Sequence, residues 1–243
     1  MNTLVKIIVT GLISLLLVSC NFNDNFFGMG VKGNGNVVTL DRNVDAEFDK
    51  IEVSRGLDLY ITQSSEPALT VEADENLHDI IVTEIIDGTL RIYTEDNISM
   101  SSSQKIFVNV ISLSSLEATS GSDVFSTNTI ESETLHLKGT SGSDIELSVN
   151  TKTITCKSTS GSDVKLSGKT DTVSGESTSG SDINAKELIS NRATVRATSG
   201  ADISIYASQK IEAKASSGGD IAYYGKPAIV NAKDGSSGSI RGH

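Results

Sequence analysis

Thr140-Ser-Gly-Ser-Asp144, Thr159-Ser-Gly-Ser-Asp163 and Thr178-Ser-Gly-Ser-Asp182 are three copies of one turn-like pentapeptide. Another copy stands at Thr119-Ser-Gly-Ser-Asp123, a variant at Thr198-Ser-Gly-Ala-Asp202, and degenerate forms at Ser216-Ser-Gly-Gly-Asp220 and Ser236-Ser-Gly-Ser239. The glycines fall at Gly121, Gly142, Gly161, Gly180, Gly200, Gly218 and Gly238, in steps of 21, 19, 19, 20, 18 and 20 residues. A period of that size, held with slips of one or two residues, marks a solenoid whose units bury a hydrophobic face only by stacking.

The residues around each glycine give the local structure. Three and five positions after it stand Ile145 and Leu147, Val164 and Leu166, or Ile203 and Ile205. Seven and five positions before it stand Leu135 and Leu137, Ile154 and Cys156, or Ala193 and Val195. All these offsets are odd, so apolar and polar residues alternate with the period of a strand that has one buried face. The spacing predicts two short strands around a tight glycine turn in each unit. Stacked in register they form an all-β parallel β-helix with coils of about 20 residues. The same parity places Ser120, Ser141, Ser160, Ser179, Ser199, Ser217 and Ser237 on the inner side of the corner, next to small residues such as Ala118 and Gly139. Each glycine is expected to supply a positive φ at the bend.

The N-terminus carries a different signal. Lys6 is followed by an apolar run from Ile7 to Val18 and then by Leu17-Val-Ser-Cys20, the form of a secretory signal with a lipoprotein processing box. The expected organisation is a lipoprotein signal peptide over 1–19, then a lipidated N-terminus and tether over 20–35. An irregular β-helix half over 36–115 precedes the regular half over 116–243. Acyl chains on Cys20 would hold the protein firmly on a membrane, because stable anchoring takes more than one chain. The expected place is the cell envelope, as an outer-membrane lipoprotein facing either side. With Cys20 consumed, Cys156 has no partner for an intrachain disulfide, and its offset makes it a core residue. The irregular half offers strand candidates at 48–53, 57–63, 68–73, 80–86, 89–94 and 105–111, with a hairpin turn at Asp87-Gly88. This half is expected to join the solenoid as longer coils or to cap its open end.

The net charge of −11 argues against nucleic acid as a partner, and the absence of Trp leaves few platforms for stacking sugars. Histidines 78, 136 and 243 share no ligand spacing, and none is paired with Cys or Asp in a catalytic order. No catalytic residue, cofactor or metal is assigned.

Several stretches together resemble a known family. Val53-Ser-Arg-Gly-Leu-Asp-Leu-Tyr-Ile-Thr-Gln63, Leu69-Thr-Val-Glu-Ala-Asp74 and Gly88-Thr-Leu-Arg-Ile-Tyr93, with the lipobox and the Ser-Gly-Ser-Asp turns, are similar to the head GIN domain family. The likeness runs over about residues 36–243. It implies a right-handed parallel β-helix in the envelope of Bacteroidetes-type bacteria and an adhesin-like role. It carries over no catalytic residues.

Two columns invite a functional reading. Asp123, Asp144, Asp163, Asp182, Asp202 and Asp220 would stack about 4.8 Å apart, where carboxylates repel unless compensated. Calcium is one way to compensate them, and capping of N–H groups within their own turns is the other. The capping reading is taken, because calcium-binding β-rolls use a much shorter repeat. Six residues past their glycines, Tyr206 and Tyr224 should stack outward beside Lys186, as ladder packing or as a contact for a ligand. The expected function is a lipid-anchored, non-catalytic envelope protein whose rigid surface binds an envelope protein or an extracellular glycan. The rivals are a carbohydrate-active β-helix enzyme, which the short loops disfavour, and a periplasmic scaffold.

Overall fold

A computed structural model describes residues 30–243, so Cys20 and the signal segment lie outside the described residues. The chain forms a β-solenoid of about seven turns with coils of about 19 residues. Four long bent strands make its middle: Asp123–Thr140, Asp144–Thr159, Asp163–Thr178 and Asp182–Thr198. Each pairs in parallel with its copy one coil away, so that Val124, Ile145, Val164, Ile183, Ile203 and Ile221 form one register line. Beyond them the coil splits into shorter pieces, Asp202–Tyr206 with Lys210–Ser216, then Asp220–Tyr224 with Ile229–Asp234, and finally Ser239–Gly242. The segments that lead into the turns make one sheet, the leading sheet. The segments that leave the turns make a second, the trailing sheet.

Burial alternates as the odd offsets require. In Asp144–Thr159 the residues Ile145, Leu147, Val149, Ile154 and Cys156 are buried, Thr151 is buried at the bend with its hydroxyl bonded to Thr170, and the other residues between them face outward. One continuous apolar core therefore runs the length of the solenoid, from Ile51 to Ile221. β-branched side chains fill it because they suit the pleated surface better than a helical turn. Burial pushes the Cys156 thiol up to about 12, which makes it an inert core residue.

The turn corrects the placement of the serines. Ser120, Ser141, Ser160, Ser179 and Ser199 are exposed, with φ between 57° and 60°. Each is followed by a glycine at positive φ (Gly121, Gly142, Gly161, Gly180 and Gly200), so two consecutive left-handed residues reverse the chain. Ser217 is likewise exposed with φ 55° ahead of Gly218, and Ser237 is exposed with φ 58°. The inward position is the next residue: Ser122, Ser143, Ser162 and Ser181, then Ala201 and Gly219, all buried. The final turn slips by one residue. Ser239 pairs with Asp220, so Ser237 occupies the glycine position and Gly238 the inward one. There a Cβ would lie 2.6 Å from the Ala215 carbonyl carbon.

The N-terminal half both joins the solenoid and closes its end. Arg55 and Gly56 repeat the pair of left-handed residues, at φ 64° and 74°, and Leu57 fills the inward position. Lys50–Val53 then pairs with Ser115–Thr119, and Asp58–Gln63 pairs with Asp123–Thr140. Antiparallel strands cap this end: Val37–Arg42 on Ala68–Asp74, Ala68–Asp74 on Gln104–Val110, and the hairpin Ile81–Ile86 with Thr89–Thr94 across Asp87-Gly88. These strands cover an edge that would otherwise pair with another chain. Val31–Lys32, inside the segment read as tether, pairs with Ile98–Met100, so the body begins before residue 36.

Candidate functional site: the outward columns

Register converts each outward position of the repeat into a straight column. The position two residues after the glycine gives an unbroken carboxylate ladder of Asp58, Asp123, Asp144, Asp163, Asp182, Asp202 and Asp220. Lys105 stands in register with Asp58 at one end. The carboxylates do not cap their own turns. Asp182 Oδ1 accepts the N–H of Asp202 in the next coil at 3.3 Å. Turn capping belongs instead to the buried serines. Ser162 Oγ accepts the Thr159 N–H at 3.1 Å, Ser181 Oγ accepts the Thr178 N–H at 3.1 Å, and Ser143 Oγ accepts the Thr140 N–H at 3.0 Å. The reason is geometric, because after two left-handed residues only the inward side chain points back across the corner.

The ladder is electrostatically strained. Partial burial and then the neighbouring carboxylates push Asp123, Asp144, Asp163 and Asp202 above the ordinary carboxylate range. For Asp144, Asp163 and Asp202 a backbone N–H from the next coil offsets part of this. Asp58 is raised by burial and relieved by Lys105. Seven acids in a line do not converge on a point. Among the described residues no group of three or more His, Cys, Asp or Glu is arranged to hold a metal ion.

Tyr206 and Tyr224 are in register, as the spacing implied. Their rings have other partners. The Tyr224 ring stacks on His243 with centroids 5.0 Å apart, and a Cβ on Gly225 would lie 2.8 Å from Tyr206 Cζ. Lys186 is exposed one residue beyond Ala185, which pairs with Ile205. The aromatic column of this molecule lies elsewhere. Phe107, Tyr60 and Phe125 are in register, the last two four residues past their turn glycines, with ring centroids 5.2 and 5.4 Å apart and nearly parallel planes. Stacked along the solenoid axis, these rings present edges outward, which is ladder packing rather than a platform for a sugar face.

On the leading sheet, the fourth residue before the turn glycine, from Glu52 to Lys214 and extended by register to Arg91 and Lys233, gives a charge column that the sequence reading missed. It runs Arg91, Glu52, Glu117, Lys138, Lys157, Glu176, Arg196, Lys214 and Lys233. Ion pairs link Arg91 to Glu52 at 3.4 Å, Lys138 to Glu117 at 2.6 Å and Lys157 to Glu176 at 3.6 Å. His136 lies on the same sheet, whereas His78 is buried with its Nε2 3.0 Å from the Val38 carbonyl oxygen. The three histidines remain far apart in the register.

Comparison with known proteins agrees with this architecture. Residues 47–227 match the family described as "Putative auto-transporter adhesin, head GIN domain". A "putative adhesin" from Bacteroides fragilis superposes with a TM-score of 0.83 at 22% identity, covering 88% of this chain and all of that one. A "putative lipid binding protein" from Parabacteroides distasonis gives 0.71 at 22% identity, over 87% and 99% of the two chains. A "putative adhesin" from Parabacteroides merdae gives 0.72 at 19% identity, over 88% and 98%. At such identities the likeness establishes the fold. No curated protein matches the chain.

Proposed function

The chain belongs to the head GIN domain family, and from that footing we propose that it is a lipid-anchored envelope protein whose solenoid is a rigid, non-catalytic surface for adhesion or binding. The observation that carries this reading is the arrangement of outward side chains. They stand in straight columns fixed by strand register, each turn reversing the chain within two residues. Catalysis needs groups from different directions to converge on one reacting atom. Columns instead offer repeated, pre-positioned contacts to an extended partner, with little conformational entropy left to lose on binding. The partner is another envelope protein or an extracellular glycan. Cys20 supplies the membrane attachment, and its acyl chains would carry the solenoid at the cell surface or in the periplasm.

The test has two arms. Cells expressing the chain are labelled with a tagged fatty acid, and the Cys20→Ser variant is expected to lose the label and become soluble. Intact cells are then compared with deletion cells for attachment to glycan-coated and protein-coated surfaces, and expression is expected to raise attachment. Label retained on Cys20→Ser, or attachment unaffected by expression on every surface, would overturn the reading.

A further inference from the structure

We propose that the C-terminal part of the leading sheet is a binding strip for a linear acidic polysaccharide bearing carboxylates along its length. This rests on the reading of the protein as a binding surface and names the partner class. Arg196, Lys214 and Lys233 are in register on three successive coils, all exposed. Their backbones are therefore separated by one strand spacing, about 4.8 Å.

Within this column these three cations are the ones without a carboxylate partner. Along the same column Lys138 and Lys157 are paired with acids, and Lys152, Lys165 and Lys210 are paired elsewhere at 2.6 to 2.8 Å. Among the described residues Arg196, Lys214 and Lys233 make no ion pair. Glu176, in register with Arg196, is bridged to Lys157, and Glu212 is bridged to Lys210. Like charges opposite one another on a sheet cost stability, and Glu212, which also feels Lys214, offsets only part of that cost, so a chain of net charge −11 carries here a run of three stacked cations. The line borders a shallow groove of about 770 Å³. Two residues earlier on each strand, Thr194, Glu212 and Asn231 form the neighbouring column, in which the hydroxyl and the amide flank a carboxylate already held by Lys210.

Charge complementarity selects an anion, and the shape of the site selects a polymer. A single polysaccharide chain lying along the column touches the three cations and can donate hydroxyls to the neighbouring polar residues. A flat anionic bilayer, or a nucleic-acid duplex, is wider than the column and would reach beyond the leading sheet. It would further meet the Asp182, Asp202 and Asp220 ladder across the corner, which repels it. The same ladder fences the polymer onto the leading sheet.

The Cys20→Ser chain, purified without lipid, is titrated with polygalacturonate by isothermal calorimetry. Neutral dextran, phosphatidylglycerol vesicles and oligo-dT serve as competing classes. The expected result is binding to polygalacturonate alone, weakened roughly tenfold between about 50 and about 200 mM salt. Arg196→Gln/Lys214→Gln/Lys233→Gln should lose at least about tenfold in affinity, as removal of the charged contacts requires. Its melting temperature should not fall, because the substitutions relieve repulsion. Lys138→Gln/Lys157→Gln, cations already paired in the same column, should bind within about twofold of wild type. If the triple variant fails to fold, Lys214→Glu alone must weaken binding. No binding by the wild type, equal binding by the triple variant, or preference for vesicles or oligo-dT would overturn the proposal. Label retained on Cys20→Ser, or attachment unaffected by expression, by contrast, bears only on the anchoring and adhesion reading.

Discussion

Replacing Asp163 by asparagine should stabilise the protein at neutral pH. Asp163 lies between Asp144 and Asp182 in the ladder, one strand spacing from each. Two unit charges about 5 Å apart repel by about 0.8 kcal/mol in bulk water. Screening over a Debye length of about 8 Å removes roughly half, leaving about 1 kcal/mol for the two neighbours together. Asn keeps an oxygen that can accept an N–H from the next coil, so the substitution removes the charge with little loss of hydrogen bonding. For a domain of this size, about 1 kcal/mol corresponds to about 2–4 °C in melting temperature. The pH dependence has a definite sign. Asp123, Asp144, Asp163 and Asp202 are raised in the folded state, so the fold binds more protons than the unfolded chain between the ordinary aspartate value and the raised one. Wild-type stability should therefore rise as pH falls from neutral into that window, and then level off. The advantage of Asp163→Asn should shrink over the same window and also at high salt. Thermal denaturation of both proteins across pH and salt measures all of this. A variant less stable than wild type at pH 7 would refute the reasoning, because the Asp163 carboxylate would then stabilise more than it repels.

Leu166→Asp, which places a carboxylate at a position 1% exposed between coils, should abolish cooperative folding or cost several kcal/mol, roughly 4 or more, in urea denaturation. Ser162→Ala removes the hydroxyl that holds the Thr159 N–H and should cost about 1–3 kcal/mol. Ser122→Ala at the equivalent position should be neutral within about 0.5 kcal/mol or stabilising, since the buried Ser122 Oγ has no hydrogen-bond partner. The Cys156 thiol, raised to about 12 by burial, should resist maleimide at pH 8 in native Cys20→Ser protein. It should react at the rate of global unfolding when denaturant is added.

The periodic part of the fold was legible because period-two alternation and a fixed glycine spacing agree with each other. The inward residues Ile145, Leu166 and Ile205 follow directly from that parity. The serines did not follow, because parity holds only along extended backbone. Two consecutive left-handed residues at Ser120 and Gly121 turn the first serine out and bring Ser122 in. The same reversal moved the capping role from Asp to Ser. The charge column of Lys138, Lys157, Arg196 and Lys214 was present in the sequence at a constant offset from each glycine. It becomes visible only when outward positions are aligned as carefully as apolar ones. The aromatic ladder was harder. Tyr60 and Phe125 share an offset from Gly56 and Gly121, but Phe107 lies on a strand with no such turn before it. Strand pairing over such separations is decided by tertiary packing.

Every functional reading above depends on coils stacking one strand spacing apart in the stated register, and paired spin labels test that directly. Nitroxides would be placed at Asp220 and, in separate proteins, at Asp144, Asp123 or Asp58, each through cysteine in a Cys20→Ser background with Cys156 buried and unlabelled. The register puts these pairs four, five and six coils apart. Double electron–electron resonance should then give distances near 19, 24 and 29 Å, growing by about 4.8 Å per coil. Distances that fail to rise by one strand spacing per coil would contradict the solenoid register and the columns built on it.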